Sequence, residues 1–203
     1  MRDVFFGPEG TLLHGVLLSA ELKGAPAAVI CHPHPQYGGS MHNNVVLGIE
    51  TALADAGITT LRFNFRGVGR SGGAFDGGRG EQDDVRRAID FLSADSSTGP
   101  IHLAGYSFGA FVGLIAAIND ERIASLSAIA PPTAIGSFAF ITDCKKPLLA
   151  VAGSQDEFCS ISEIKPLVDK IHGRLEIIPG ADHFFLNQEQ RAGGFVRDFI
   201  LGL

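Results

Sequence analysis

Ser107, Asp156 and His183 have the residue types, and the order along the chain, that nucleophilic acyl transfer calls for. Ser107 is the centre of Gly105-Tyr106-Ser107-Phe108-Gly109, a G-x-S-x-G pentapeptide. A serine hydroxyl alone is a poor nucleophile, so it needs a base within hydrogen-bond reach and a group that orients the base. His183 is the best placed of seven histidines, because it falls just after the last predicted strand, at the sheet edge where ligands bind. His14 and His102 fall inside predicted strands and His172 ends a helix, positions that suit structural or surface roles. For the acid, Asp156 follows a predicted strand through Gly153-Ser154-Gln155. Glu157 and Asp182 compete for that role, but each directly adjoins another candidate, and an adjacent residue usually points elsewhere.

The pentapeptide occurs twice. Gly69-Arg70-Ser71-Gly72-Gly73 repeats the pattern, so the flanking sequence must choose between the two serines. Residues 100–104 read as a strand and 108–118 as a buried helix, which puts Ser107 in a sharp strand-to-helix turn with its hydroxyl exposed above the sheet. Ser71 runs instead into Gly72-Gly73-Ala74-Phe75-Asp76-Gly77-Gly78, loop composition without helical period. Context assigns the nucleophile to Ser107.

The rest of the chain must hold these groups together. Two candidate strands, 4–6 and 12–19, are joined by Gly7-Pro8-Glu9-Gly10 and predict an antiparallel edge. After them strands and helices alternate. Apolar runs at 27–30, 58–65, 123–130, 148–152 and 175–178 read as strands. A helix over 44–56 is capped by Asn43 or Asn44 and ended by Gly57. Val85, Ala88, Ile89 and Leu92 mark a second helix, Ile164, Val168 and Ile171 a short one, and Val196, Phe199, Ile200 and Leu203 the last. Such alternation implies a parallel sheet covered on both faces.

With these motifs in place, the chain resembles a small, lidless α/β-hydrolase, and more narrowly a compact esterase-like subgroup. The elements that carry the resemblance are His32-Pro33-His34-Pro35, Phe63-Asn64-Phe65-Arg66 with Gly67-Val68-Gly69-Arg70-Ser71, and Asp182-His183-Phe184-Phe185. The match runs from about residue 26 to the C-terminus. The acid element of that group often reads Gly-Asp-x-Asp; here Gly153-Ser154-Gln155-Asp156 keeps only the second aspartate. The resemblance implies an α/β-hydrolase fold in a single domain over 1–203, with a mostly parallel twisted sheet, an antiparallel N-terminal edge, helices on both faces and no lid. Only about seventeen residues separate the strands ending at 130 and starting at 148, where lids of this fold are usually inserted.

For activity the expectation is a serine hydrolase, a carboxylesterase cleaving small to medium acyl esters through an acyl-enzyme. Its partner would be a small-molecule ester, and no cofactor or metal is implied. An amidase or peptidase with the same three residues, and a non-catalytic ligand-binding member of the fold, are the alternatives. The oxyanion hole of such an enzyme takes one backbone N–H from the residue after the nucleophile, Phe108, and another from the loop after residue 30. Pro33 and Pro35 have no N–H, so His34 offers the best-placed amide.

Bulk composition narrows the partners. A net charge of −6 and the absence of a basic run argue against nucleic acid. No apolar stretch reaches membrane-spanning length, and the first residues lack a signal-peptide pattern, so no membrane partner and a cytoplasmic setting are expected. Cys31, Cys144 and Cys159 are odd in number and widely spaced, which fits free thiols better than a disulfide framework. The oligomeric state stays open.

Other patterns have bland readings. His32, His34 and His42 lie close enough to suggest a metal site, but acidic or cysteine partners at motif spacing are lacking. Gly67-x-Gly69-x-x-Gly72 spells a dinucleotide fingerprint without the helix that should follow at once, so a flexible loop is expected. Arg66 and Arg70 in that loop read equally well as structural or as lining the site. Phe184-Phe185 and Phe138-Ala139-Phe140 serve equally as acyl-pocket walls or as core.

Overall fold

The computed structural model describes residues 1–203. Eight strands run β1 (Arg2–Phe6), β2 (Leu13–Leu18), β3 (Ala27–Cys31), β4 (Thr59–Phe63), β5 (Ile101–Tyr106), β6 (Ile123–Ile129), β7 (Leu148–Gly153) and β8 (Arg174–Ile178). They form one sheet in the order β1-β2-β4-β3-β5-β6-β7-β8. The β1–β2 and β2–β4 pairs are antiparallel, and every pair from β3–β4 onward is parallel. The expected antiparallel N-terminal edge is therefore present, with Val4 opposite Gly15 in a hairpin.

Side-chain alternation explains why helices cover both faces. In β3, Ala27, Val29 and Cys31 join one apolar cluster while Ala28 and Ile30 join the other. β7 repeats this, with Leu148, Ala150 and Ala152 on one face and Leu149 and Val151 on the other. A strand apolar on both sides must be buried on both sides. Helices α1 (Asn44–Asp55) and α5 (Glu189–Leu201) cover one face, while α2 (Arg79–Ser93), α3 (Phe108–Ala117) and α4 (Ile161–Lys170) cover the other. Asn43 caps α1, its side-chain oxygen accepting the Val45 N–H at 2.9 Å.

One strand boundary differs from the sequence pattern. The strand expected over 58–65 ends at Phe63; the Asn64 N–H still donates to the His14 carbonyl of β2, but the Phe65 N–H leaves the ladder and donates to the His32 ring. The helix marked by Val85, Ala88, Ile89 and Leu92 spans Arg79–Ser93, with acidic Glu81 in its first turn accepting the Gly78 N–H at 2.7 Å. Between β6 and β7 there is no inserted domain, only a loop with a short 3-10 turn at Ala139–Asp143. No helix is long and apolar enough to cross a membrane.

Candidate active site

Because β3, β5, β7 and β8 run parallel, their carboxyl ends share one edge of the sheet. The next few residues of each strand supply the site. Ser107 follows β5 directly and forms the N-terminal boundary of α3, with φ 54° and ψ −119°. That backbone conformation costs about 1–3 kcal/mol and persists only where the surroundings over-determine it. Here they do. The Ser107 N–H donates to the Ile129 carbonyl at 2.8 Å, and its own carbonyl accepts from Ala110 at 2.9 Å. A side chain on Gly105 would overlap the Gly109 carbonyl, and a Cβ on Gly109 would lie 2.5 Å from the Cys31 and His32 carbonyl oxygens. Both glycines are thus demanded by close backbone approach.

Nε2 of His183 lies 2.9 Å from Oγ of Ser107, across 76 residues of sequence. Its Nδ1 lies 2.9 Å from each carboxylate oxygen of Asp156. The carboxylate fixes the tautomer: Nδ1–H donates to Asp156, leaving Nε2 to accept the Ser107 O–H. Asp156 is itself held by the amides of Phe158 and Cys159, which donate to Oδ1 at 2.8 and 2.9 Å. Its side chain is fully shielded from solvent. Glu157 is exposed on the surface. Asp182 accepts from the Phe184 N–H at 3.0 Å, in a turn of its own.

The amides of Phe108 and His34 donate to no acceptor within the protein. The two residues adjoin, with rings 4.7 Å apart. Phe108 is the first residue of α3, where unpaired N–H groups and the helix dipole favour negative charge. His34 is fixed by its own turn: its carbonyl accepts from Tyr37 and Gly39, and its ring accepts the Gln36 N–H at 3.2 Å.

Comparison with known proteins bears on the scaffold that holds these groups. Residues 29–144 match the model of the alpha/beta hydrolase fold. The chain belongs to that family. An uncharacterized protein of Rickettsia prowazekii (strain Madrid E) is 35% identical over 99% of this chain and 89% of that protein. Among solved structures, the protein of unknown function ATU1826 from Agrobacterium tumefaciens superposes with a TM-score of 0.89 at 34% identity, covering 98% of this chain and 94% of that one. XC6422 from Xanthomonas campestris, described as an α/β serine hydrolase without lid, gives 0.86 at 32% identity, covering 99% and 94%.

Within this α/β-hydrolase frame the remaining sequence candidates take structural positions. Oγ of Ser71 donates to the Asn64 carbonyl at 2.7 Å and accepts the His14 N–H at 2.9 Å, so its hydroxyl is consumed by backbone. His32 is fully buried; Nδ1–H donates to the Pro33 carbonyl at 2.6 Å and Nε2 accepts the Phe65 N–H at 3.0 Å. With both nitrogens engaged the ring has no lone pair for a metal, and desolvation pushes it down to about 4 from its ordinary 6.5. Arg66 makes a forked contact with buried Asp84 at 3.0 and 2.8 Å, which resolves it as structural. Arg70 reaches out to Asp3 at 3.0 Å, over the Phe5 ring. Burial raises all three thiols, Cys159 to about 12, so they stay protonated at neutral pH.

Two groups in the site carry no sequence signal of their own. Tyr106 occupies a variable position of the pentapeptide, yet its buried hydroxyl donates to the His183 carbonyl at 2.9 Å. No other donor reaches that carbonyl. The phenol stays protonated, its pKa raised by burial and then by Asp156 and Asp182. The loop it anchors is strained, with Phe185 at φ 50° and Asn187 at φ 60°. Phe158 is the second: its ring lies 4.9 Å from that of His183 and remains 42% exposed. Of the aromatics weighed as pocket walls, Phe185 and Phe138 are core, while Phe184 lies exposed beside His183.

Proposed function

We propose that the protein is a serine hydrolase acting on carboxylic esters through an acyl-enzyme. The observation that carries this reading is the unbroken relay from Ser107 to His183 to Asp156, at 2.9 Å per step. In this mechanism Oγ of Ser107 attacks the ester carbonyl as Nε2 of His183 takes its proton. Asp156 holds the imidazole and stabilises the imidazolium that forms. The carbonyl oxygen becomes an oxyanion facing the free amides of Phe108 and His34; loss of one such donor costs about 3 kcal/mol of transition-state stabilisation. The carbon–oxygen bond to the alcohol then breaks, and the departing oxygen takes the proton from His183. Water, deprotonated by the same nitrogen, releases the acid and restores Ser107.

Esters rather than amides are favoured by the open site. The loop between β6 and β7 carries no inserted lid domain, which suits small, soluble esters. The name of the lidless Xanthomonas campestris relative supports serine chemistry on this frame. Stopped-flow hydrolysis of p-nitrophenyl acetate provides the test, against p-nitroacetanilide. A burst equivalent to the enzyme concentration, with slow or no anilide turnover, is expected. No ester turnover, or full turnover by Ser107→Ala, would overturn the reading.

A further inference from the structure

Phe158 and Phe184 belong to the loops that carry the acid and the base, and neither is spent on the core. Their exposures are 42% and 60%, high for phenylalanine, a residue type that is usually buried. Both rings lie against His183, Phe158 tilted at 4.9 Å and Phe184 edge-on at 5.7 Å. The backbone holds them there. The Phe158 N–H is bonded to Asp156 and its carbonyl accepts from Ala134 at 3.0 Å. The Phe184 N–H is bonded to Asp182 and its carbonyl accepts from Asn44 at 3.2 Å. Two apolar faces thereby lie on the side of the site that carries the His183 ring, still open to solvent.

That side has a chemical meaning, given the reading of Ser107, His183 and Asp156 as the catalytic relay, on which this inference rests. His183 must deliver its proton to the oxygen that leaves, so whatever flanks His183 flanks the alcohol half of the ester. The acyl half is placed by Ser107 and the amides of Phe108 and His34. Charge narrows the alcohol further. Segments 154–160 and 180–190 contain Asp156, Glu157, Asp182 and Glu189, and no lysine or arginine. Neither Glu157 nor Asp182 has a cationic partner. An anionic alcohol would meet uncompensated like charge there.

We propose that the alcohol half of the substrate is an uncharged, flat apolar group of the arylalkyl class, seated against Phe158 and Phe184 beside His183. On collapse of the tetrahedral intermediate the carbon–oxygen bond electrons stay with the alkoxy oxygen, which takes the proton of Nε2. The aryl group then leaves from between the two rings as the neutral alcohol.

Acetate esters isolate this half, because the acyl group stays constant. Benzyl and methyl acetate have leaving groups of similar basicity, so their ratio of kcat/KM reads binding at the alcohol site. The ratio is expected to reach about tenfold or more in favour of benzyl. 4-Carboxybenzyl acetate should fall about tenfold below benzyl acetate at low salt and recover partly at high salt. Phe158→Ala and Phe184→Ala should each shrink the benzyl-to-methyl ratio several-fold, and Phe184→Leu should shrink it less. Both rings are outside the core, and fluorophosphonate labelling of each variant reports whether the nucleophile is still assembled. A wild-type ratio near one, or variants that slow both esters by the same factor, would overturn the proposal; the latter would make the rings positioning groups for His183. If Ser107→Ala still hydrolyses methyl acetate, the relay itself has been misread. Methyl acetate turnover that depends on Ser107 without a benzyl preference would sink the subsite alone.

Discussion

The serines of the two G-x-S-x-G pentapeptides are buried to nearly the same degree, 7% exposed at Ser107 and 8% at Ser71, yet their hydroxyls meet different partners. Ser107 faces an imidazole that can take its proton. Ser71 lies between a backbone carbonyl and a backbone N–H, which can only hold it. The glycines differ as well. Gly105 and Gly109 are needed because backbone passes within contact of where their side chains would be. Gly69 and Gly73 are needed because the chain turns through φ 56° and 79°. One pattern thus serves a strand-to-helix turn in one place and a tight loop in the other. What distinguishes a reactive serine is the second segment brought to it, and that segment lies 76 residues away.

The largest expected break in this symmetry is catalytic. Ser107→Ala should lower kcat for ester hydrolysis on the order of 10⁴-fold or more, whereas Ser71→Ala should leave it within about threefold. Steady-state kinetics on one substrate read both. Stability should divide the glycines next. Gly109→Ala forces a Cβ against two carbonyl oxygens and should cost about 3 kcal/mol or more. Gly69→Ala meets mainly a left-handed backbone and the Asn64 amide, for about 1–2 kcal/mol. Urea midpoints of the two variants check this order.

His32 couples the two regions, since its ring accepts from Phe65 on the approach to the second pentapeptide and its carbonyl borders Gly109 of the first. Its value of about 4 in the folded protein lies below the ordinary 6.5, as does that of buried His102, also about 4. Below pH 6.5 the unfolded chain therefore binds protons that the folded one refuses. Each histidine's contribution is complete above about pH 6.5 and is lost as pH falls toward 4, about 3 kcal/mol apiece. Denaturant unfolding at pH 7 and pH 4.5 should show the drop; equal midpoints would contradict neutral burial. Ser71→Ala should cost about 1–3 kcal/mol, because it strands the His14 N–H without its acceptor. The smallest effect is expected from Tyr106→Phe, which frees the carbonyl of His183. kcat should fall about 3- to 30-fold with KM nearly unchanged, and fluorophosphonate labelling should slow in parallel. An unaltered labelling rate would remove the positioning role.

Much of the scaffold was legible because the central strands alternate between two apolar faces and so spell themselves as continuous apolar runs, as 27–30 does. The candidate relay was legible for a related reason: parallel strands send their carboxyl ends to one edge, so Ser107, Asp156 and His183 could be picked out by their places after β5, β7 and β8. Bonds made by groups with no distinctive pattern could not be read. Tyr106 looks like any aromatic in a buried strand until its hydroxyl is seen against a carbonyl 77 residues on. Arg66 reads both ways in sequence because its pairing with Asp84 on α2 follows no motif spacing. The end of β4 was missed because Phe65 gives its amide to a side chain, which apolar periodicity does not register.

In the proposed mechanism a single hydroxyl, that of Ser107, is the nucleophile. The most direct measurement is stoichiometric labelling with a fluorophosphonate, followed by peptide mass spectrometry of wild type, Ser107→Ala and Ser71→Ala. One adduct per chain is expected on the peptide containing Ser107, retained in Ser71→Ala and absent from Ser107→Ala. An adduct on Ser71, or wild-type protein that takes up no label, would contradict that mechanism.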